Sequence, residues 1–116
     1  MRIAVVQLAG SRPEDWRQTW QTIEHSVAEA AARGAALAVL PECAWPAYVL
    51  GSPADYHAAR TAGMPGPDEL LAAAGDWARR HHLGLCIGHV GEQPHGLTNA
   101  ATLIAPDGRI LGTHEK

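Results

Sequence analysis

The chain of 116 residues contains no phenylalanine and only two cysteines. Two cysteines, Cys43 and Cys86, cannot supply the disulfide framework of a small secreted domain, so we expect a reducing, cytoplasmic compartment. Without phenylalanine, a core would be filled by alanine, leucine, valine and tryptophan, and we draw no function from that composition.

Long apolar runs and strong positive charge are also missing. No stretch reaches the roughly 18 apolar residues of a membrane span, and the apolar start at residues 1–7 lacks the length and cleavage pattern of a signal peptide. The formal net charge of −3 argues against nucleic acid as the main partner, because phosphate binding needs clustered lysine and arginine. We therefore expect no membrane segment and no nucleic-acid partner.

The usual signatures of a metal or nucleotide cofactor are absent as well. The seven histidines show no zinc-site spacing, and His81 and His82 are adjacent, so they cannot converge on one ion. Gly84, Gly88 and Gly91 fall within a predicted strand rather than in a turn that opens a helix, which excludes the dinucleotide-binding fingerprint. We expect no metal and find no sign of a cofactor.

What the sequence does contain is the pattern of an α/β domain. Apolar runs at residues 3–8 and 37–40 predict two strands buried on both faces. Between them, an apolar stripe with Pro13 at its first position and Gly34 at its end predicts a helix. Strand, helix and strand should form a right-handed unit with parallel strands.

The second half predicts a change to antiparallel pairing. The irregular segment 41–67 should contain a short helix at 55–60, and a longer helix capped by Asp68 should run to His81. Strands are expected at 83–90, 98–105 and from 109, with a hairpin turn at 106–108. Two helices of this layout cover one face of the sheet, so the rest of the chain or a partner must cover the other.

Glu42 is the residue best placed for chemistry, because it directly follows a buried strand and ligands bind outside the carboxyl ends of parallel strands. It can be a general base or simply a solvated loop glutamate. Cys43 should point to the opposite face of an extended segment, which is poor geometry for proton transfer to Glu42. Cys86 should behave as a small buried hydrophobe.

Four segments, taken in order, resemble the nitrilase superfamily of carbon–nitrogen hydrolases. They are the opening strand 2–8 with its Gln7, the Leu-Pro-Glu at 40–42 followed by Ala47 and Tyr48, the strands 88–99 with the second opening on Asn99, and the turn 106–112 that leads to Lys116. Lys116 lies eight residues after Gly108, the interval at which the family carries its essential lysine. Ala47 replaces a glycine of the family pattern, and His114 replaces an aromatic residue.

The resemblance implies a four-layer α-β-β-α sandwich, of which this chain supplies roughly one α/β half with a mixed sheet. Residues 1–116 would be the N-terminal part of a single carbon–nitrogen hydrolase domain that ends here at the lysine. The family hydrolyses small amide, carbamoyl or nitrile compounds through a Glu-Lys-Cys triad. Glu42 and Lys116 match two members, and the family's cysteine lies beyond Lys116, so this chain alone should be inactive.

Several alternatives stay open on the sequence alone. Trp45 and Tyr48 either line the substrate pocket or pack the loop. The chain can belong to a homo-oligomeric amidohydrolase, act as a non-catalytic interaction module, or be an arbitrary fragment. The substrate, the branch of the family and the size of the oligomer are not encoded in any pattern that we identify.

Overall fold

The computed structural model describes residues 1–116 and contains five strands and three α-helices. In chain order they are β1 (Ile3–Val5), α1 (Trp16–Ala32, preceded by a short 3-10 helix at Pro13–Asp15), β2 (Leu37–Val39), α2 (Pro53–Thr61), α3 (Pro67–His81), β3 (Gly84–Gln93), β4 (Gly96–Ile104) and β5 (Ile110–Glu115). The expected α/β architecture is confirmed.

The strands form one mixed sheet whose spatial order follows the chain, β1-β2-β3-β4-β5. The pairs β1–β2 and β2–β3 are parallel, and the pairs β3–β4 and β4–β5 are antiparallel. The predicted change of pairing is confirmed. The last turn carries Gly108 at a φ of 89°, a left-handed conformation that glycine adopts without steric cost.

The helix ends follow from local hydrogen bonding. α1 ends before Gly34, whose φ is 81°, as a C-terminal cap requires. In α2, Ser52 and Asp55 form a reciprocal capping box, which explains why the helix begins earlier than position 55. The prediction that Asp68 caps α3 is wrong. Gly66 precedes the helix and donates its N–H to the Glu69 carboxylate, so α3 starts at position 67.

The strand boundaries differ from the prediction where they depend on how many residues the neighbouring strand offers for pairing. β1 stops at Val5, because β2 provides partners for only three residues. β3 and β4 are longer than expected and continue as a hairpin to Gln93 and Gly96, where the two strands still pair with each other. The apolar pattern of a single strand does not predict how far a hairpin extends, because the polar residues at its tip resemble a loop.

All the helices pack on one face of the sheet. Leu85 and Ile87 of β3 point into this core and are 0% and 1% exposed, whereas Cys86 between them is only half-buried. On the other side of the sheet Ile3 is 52% exposed and Val5 is 76% exposed. We call this side the open face; it carries Ile3, Val5, Leu37, Val39, Cys86 and Leu103.

The prediction that β1 is buried on both faces is therefore wrong for these residues, and Cys86 is less buried than expected. The reason is the one anticipated from the helix count: nothing in residues 1–116 covers the open face. None of the helices combines the length and the apolar character of a bilayer-spanning segment.

We predict that the 116-residue chain self-associates through the open face, since contiguous exposed apolar surface drives association. Sedimentation velocity should show concentration-dependent oligomers, and the double substitution Val5→Glu, Leu103→Glu should reduce them without loss of helix signal. Val49→Glu, which alters an apolar residue 43% exposed outside the sheet, is the control. A wild-type chain that stays monomeric at every concentration would contradict this prediction.

Candidate active site

Glu42 lies in a short bulge between two points where the chain is fixed to β3. Before the bulge, the N–H of Leu40 donates to the carbonyl of Cys86 at 2.8 Å. After it, the N–H of Trp45 donates to Gly88, and the Trp45 carbonyl accepts from Val90 at 2.9 Å. Residues 41–44 are therefore held at both ends, and Glu42 is displayed at the carboxyl end of β2.

Gly88 makes this position possible. A Cβ at residue 88 would lie 2.8 Å from the Cα of Glu42 and 3.0 Å from the backbone nitrogen of Cys43, and closer still to the carbonyl oxygen of Pro41. These separations are shorter than a carbon side-chain atom tolerates. The bulge therefore rests directly on the backbone of β3, an approach that a side chain at this position would prevent.

Glu42 and Lys116, the two predicted catalytic residues, are in direct contact. Nζ of Lys116 lies 2.5 Å from Oε1 of Glu42, although the residues are 74 positions apart in the chain. The backbone N–H of Lys116 donates to the carbonyl of Asn99 at 2.9 Å and thereby extends the pairing of β4 with β5. The sheet register, rather than local sequence, brings the lysine to the glutamate.

Asn99 is a contact that the sequence did not assign to the site. Its Nδ2 donates to Oε1 of Glu42 at 2.7 Å, so the same oxygen receives both the amide and the ammonium. Asn99 ends the third family-like segment and is the single asparagine of the chain. Both features were visible in the sequence, but only the register of β3 with β4 places the side chain beside Glu42.

The contacts set the charge states of the pair. The hydrogen bond from Lys116, followed by that from Asn99, lowers the pKa of Glu42, and the hydrogen bond to Glu42 raises the pKa of Lys116. Both groups are therefore ionised at neutral pH. The side chains are 43% and 69% exposed, so solvent screens their attraction, and the pair adds little to stability.

Cys43 does not follow the predicted extended geometry. Its φ is 49°, a left-handed conformation that is uncommon for a residue with a side chain. As a result its Sγ lies 4.0 Å from Oδ1 of Asn99, and both Glu42 and Cys43 contact the same amide. The predicted placement on opposite faces is wrong. Burial, and then the negative charge of Glu42, raises the pKa of the Cys43 thiol, which disfavours the nucleophilic thiolate.

A cavity of about 630 Å³ opens beside Glu42, within the size range of small-molecule sites. Its wall is formed by the segment before α1, the first turns of α1, the bulge and Tyr48; the lining residues are Leu8, Ala9, Gly10, Ser11, Asp15, Gln18, Thr19, Thr22, Pro41, Glu42, Cys43, Ala44 and Tyr48. Tyr48 is 66% exposed on this wall.

Trp45, the other residue predicted to face substrate, lies in the core. It is 1% exposed, and its indole N–H donates to the carbonyl of Pro65 at 3.1 Å. The rings of Trp16 and Trp20 meet it edge-on at centroid distances of 6.5 and 5.1 Å. Trp45 thus anchors the end of the bulge, and of the two aromatic candidates only Tyr48 lines the cavity.

The histidines are not assembled into a metal centre. No three side chains of histidine, cysteine, aspartate or glutamate lie together in a way that could hold an ion. His89 is buried, and its ring nitrogens are engaged by the hydroxyl of Thr102 and the carbonyl of Val90. This histidine is a satisfied part of the β3–β4 packing.

Comparison with known proteins places these features in a family context. The family model for carbon–nitrogen hydrolases matches residues 2–116, which confirms the resemblance predicted from the four segments. Omega-amidase NIT2 of Danio rerio is 35% identical over 99% of this chain, and nitrilase 1 of Arabidopsis thaliana is 25% identical over 100% of it. The chain spans 39% and 37% of the length of these two relatives.

Solved structures agree with the fold. A variant of an amidase from Nesterenkonia sp., bearing acrylamide added at its active-site cysteine, superposes with a TM-score of 0.78 at 26% identity. The match covers 100% of this chain and 44% of that one. The C. elegans NitFhit protein, at 20% identity, shares the fold with a TM-score of 0.80 over 98% of this chain and 27% of its own.

We predict that Gly88→Ala destabilises the chain and displaces Glu42, because the added methyl group must push the bulge away from β3. The free energy of unfolding, measured by chemical denaturation, should fall by about 1–3 kcal/mol, as for other overpacked sites. Gly112→Ala is the matched control, since a Cβ on this β5 glycine meets nothing within 4 Å. Equal stability of the two variants would show that the bulge does not rest on Gly88.

We also predict that Lys116→Met raises the pKa of Glu42, since the first cause of its lowering is removed. The exposed ion pair adds only a small stabilisation to the fold at neutral pH. This stabilisation is lost as pH falls through the lowered pKa of Glu42, or as pH rises through the raised pKa of Lys116. The difference in denaturation midpoint between wild type and variant should therefore vanish at both extremes. A difference that is independent of pH would mean that the pair is not formed.

Proposed function

This chain belongs to the carbon–nitrogen hydrolase family, and we propose that the protein hydrolyses a non-peptide carbon–nitrogen bond in a small amide or carbamoyl compound. The observation that carries the proposal is the 2.5 Å contact between Nζ of Lys116 and Oε1 of Glu42, together with the cavity of about 630 Å³ that Glu42 lines. A base and a cation in contact beside a cavity are the groups that acyl transfer requires. The 35% identity to an omega-amidase supports an amide over the alternative, a nitrile.

Glu42 is the general base of this proposal. It takes the proton of a cysteine thiol, and the thiolate attacks the carbonyl carbon of the substrate. Lys116 stabilises the negative charge that develops on the oxygen, the carbon–nitrogen bond breaks, and the proton held by Glu42 leaves with ammonia or the amine. Glu42 then removes a proton from water, which attacks the thioester, releases the acid and restores the thiol.

The nucleophile of this proposal lies outside the 116 residues. Burial and the charge of Glu42 raise the pKa of the Cys43 thiol, and Cys86 makes no hydrogen bond to Glu42. A mutant of the amidase from Nesterenkonia sp. carries acrylamide added at its active-site cysteine, which supports a cysteine nucleophile in this family. We accordingly propose that residues 1–116 form the N-terminal part of one hydrolase domain that continues past Lys116.

Covering the open face would also strengthen Glu42 as a base. In the exposed pair the hydrogen bonds dominate, so the pKa of Glu42 lies below its usual value and the carboxylate is a weak base. Loss of solvent raises the pKa of a carboxyl group. A second layer over the open face would thus move Glu42 towards the range in which a general base works best.

Tyr48 is our candidate for substrate contact, because it lies on the wall of the cavity that Glu42 also lines. We further propose a cytoplasmic homo-oligomer. The two free thiols fit a reducing compartment, and the exposed apolar residues of the open face fit a surface that is covered in the assembled protein.

The test of the proposal is ammonia release from small aliphatic amides by the protein expressed from its natural, full-length reading frame. Glu42→Gln should abolish turnover, by at least about 1,000-fold, and leave the fold intact. Glu115→Gln, which alters a neighbouring exposed carboxylate of β5, should retain activity. Cys43→Ser should also retain activity, because its thiol is not the nucleophile.

Each outcome separates the candidates. Turnover by Glu42→Gln at the wild-type rate would refute the role of Glu42. Loss of turnover in Cys43→Ser would make this thiol the nucleophile. A full-length protein that folds but releases no ammonia from any amide or nitrile would favour the rival function, a non-catalytic interaction module.

A further inference from the structure

Two donors converge on one oxygen of Glu42 and leave the other without a partner in the chain. The ammonium of Lys116 and the amide of Asn99 both bind Oε1, at 2.5 and 2.7 Å. Oε2 receives no hydrogen bond from either residue. The carboxylate is therefore asymmetric: one oxygen is fixed, and the other is available to accept a proton.

Asn99 is itself held from three directions. Its main chain pairs with Val90 of β3, and its carbonyl accepts the backbone N–H of Lys116 at 2.9 Å. The Cys43 thiol lies 4.0 Å from Oδ1, and Nδ2 is the end of the amide that faces Glu42. One residue thus fixes both members of the ion pair, the glutamate through its side chain and the lysine through its backbone.

We propose that Asn99 is a positioning residue for the hydrolytic reaction. It fixes Oε1 of Glu42 so that Oε2 faces the thiol of the nucleophilic cysteine, which lies outside these 116 residues, and later the attacking water. This inference rests on the function proposed above. A neutral amide suits the role, because it orients the carboxylate while lowering its pKa less than a second cation at hydrogen-bond distance would.

Three substitutions separate positioning from mere packing. Asn99→Ala removes the donor, Asn99→Asp replaces it with a second negative charge, and Asn99→Gln restores an amide on a longer side chain. Gln93 provides the matched control, because its amide donates to the Glu115 carboxylate at 2.7 Å on the same hairpin, away from Glu42. Gln93→Glu repeats the amide-to-carboxylate change outside the site.

In the full-length protein with a small amide, we expect kcat to fall about 10- to 100-fold in Asn99→Ala, with KM changed less than about twofold. Asn99→Asp should lose at least as much. The acid limb of its rate profile should also move up by about one pH unit, since a like charge raises the pKa of a carboxyl group. Asn99→Gln should recover part of the loss, and Gln93→Glu should match wild type.

A second measurement does not depend on turnover. The pKa of Glu42, followed by carbon-13 NMR of the glutamate carboxyl groups and assigned by loss of its signal in Glu42→Gln, should rise in Asn99→Ala and more in Asn99→Asp. If wild type releases no ammonia, the proposed function fails and this titration alone decides the role of Asn99. An unchanged Glu42 pKa in Asn99→Asp, or wild-type kcat and rate profile in Asn99→Ala, would overturn the inference.

Discussion

The contact between the backbone of residues 41–43 and Gly88 is the constraint on which the site depends. β2 is only three residues long, and the chain must leave it, form a bulge and rejoin β3 at Trp45. The bulge has space only because position 88 carries no side chain. Cys43 adopts a left-handed conformation within it, which costs about 1–2 kcal/mol for a residue with a Cβ. The buried indole of Trp45, hydrogen-bonded to Pro65, holds the far end in place.

This constraint places the charged site and the exposed apolar strands on the same side of the sheet. Gly88 shares the open face with Cys86, and the bulge that carries Glu42 rests on it. Any layer that covers Val5 and Leu103 will therefore also remove water from the neighbourhood of Glu42 and Lys116. Loss of water works against the lowering of the Glu42 pKa by Lys116 and Asn99, so the carboxylate becomes a stronger base. The layer that completes the fold over the open face would therefore also make Glu42 a stronger base.

Much of the fold was predictable because short-range patterns determine it. The apolar stripe of α1 and the terminal Gly34 located a helix, and the turn at Gly108 located the last hairpin. What failed depended on neighbours in space. The exposure of Val5 depends on what covers the sheet, and the start of α3 depends on a hydrogen bond between Gly66 and Glu69.

The site also has features that were predictable from sequence and features that depend on neighbours in space. Glu42 was recognisable from its position after a strand, and Lys116 from a family-like interval, but the contact between them arises from pairing across β3, β4 and β5. The two hydrogen bonds to the same oxygen of Glu42, and the direction of the Cys43 thiol, could not be predicted from the order of residues. The reasons are that a left-handed residue reverses the alternation of an extended chain and that an asparagine in a sequence is also a common turn residue.

The central claim is that Glu42 and Lys116 act as one unit in hydrolysis. A double-mutant cycle on amide turnover by the full-length protein, with Glu42→Gln, Lys116→Met and both together, tests it most directly. Residues that act as a unit are strongly non-additive. We expect the double variant to be no slower than the slower single variant. Losses that multiply, so that the double variant falls by the product of the two single effects, would show that Glu42 and Lys116 have independent roles.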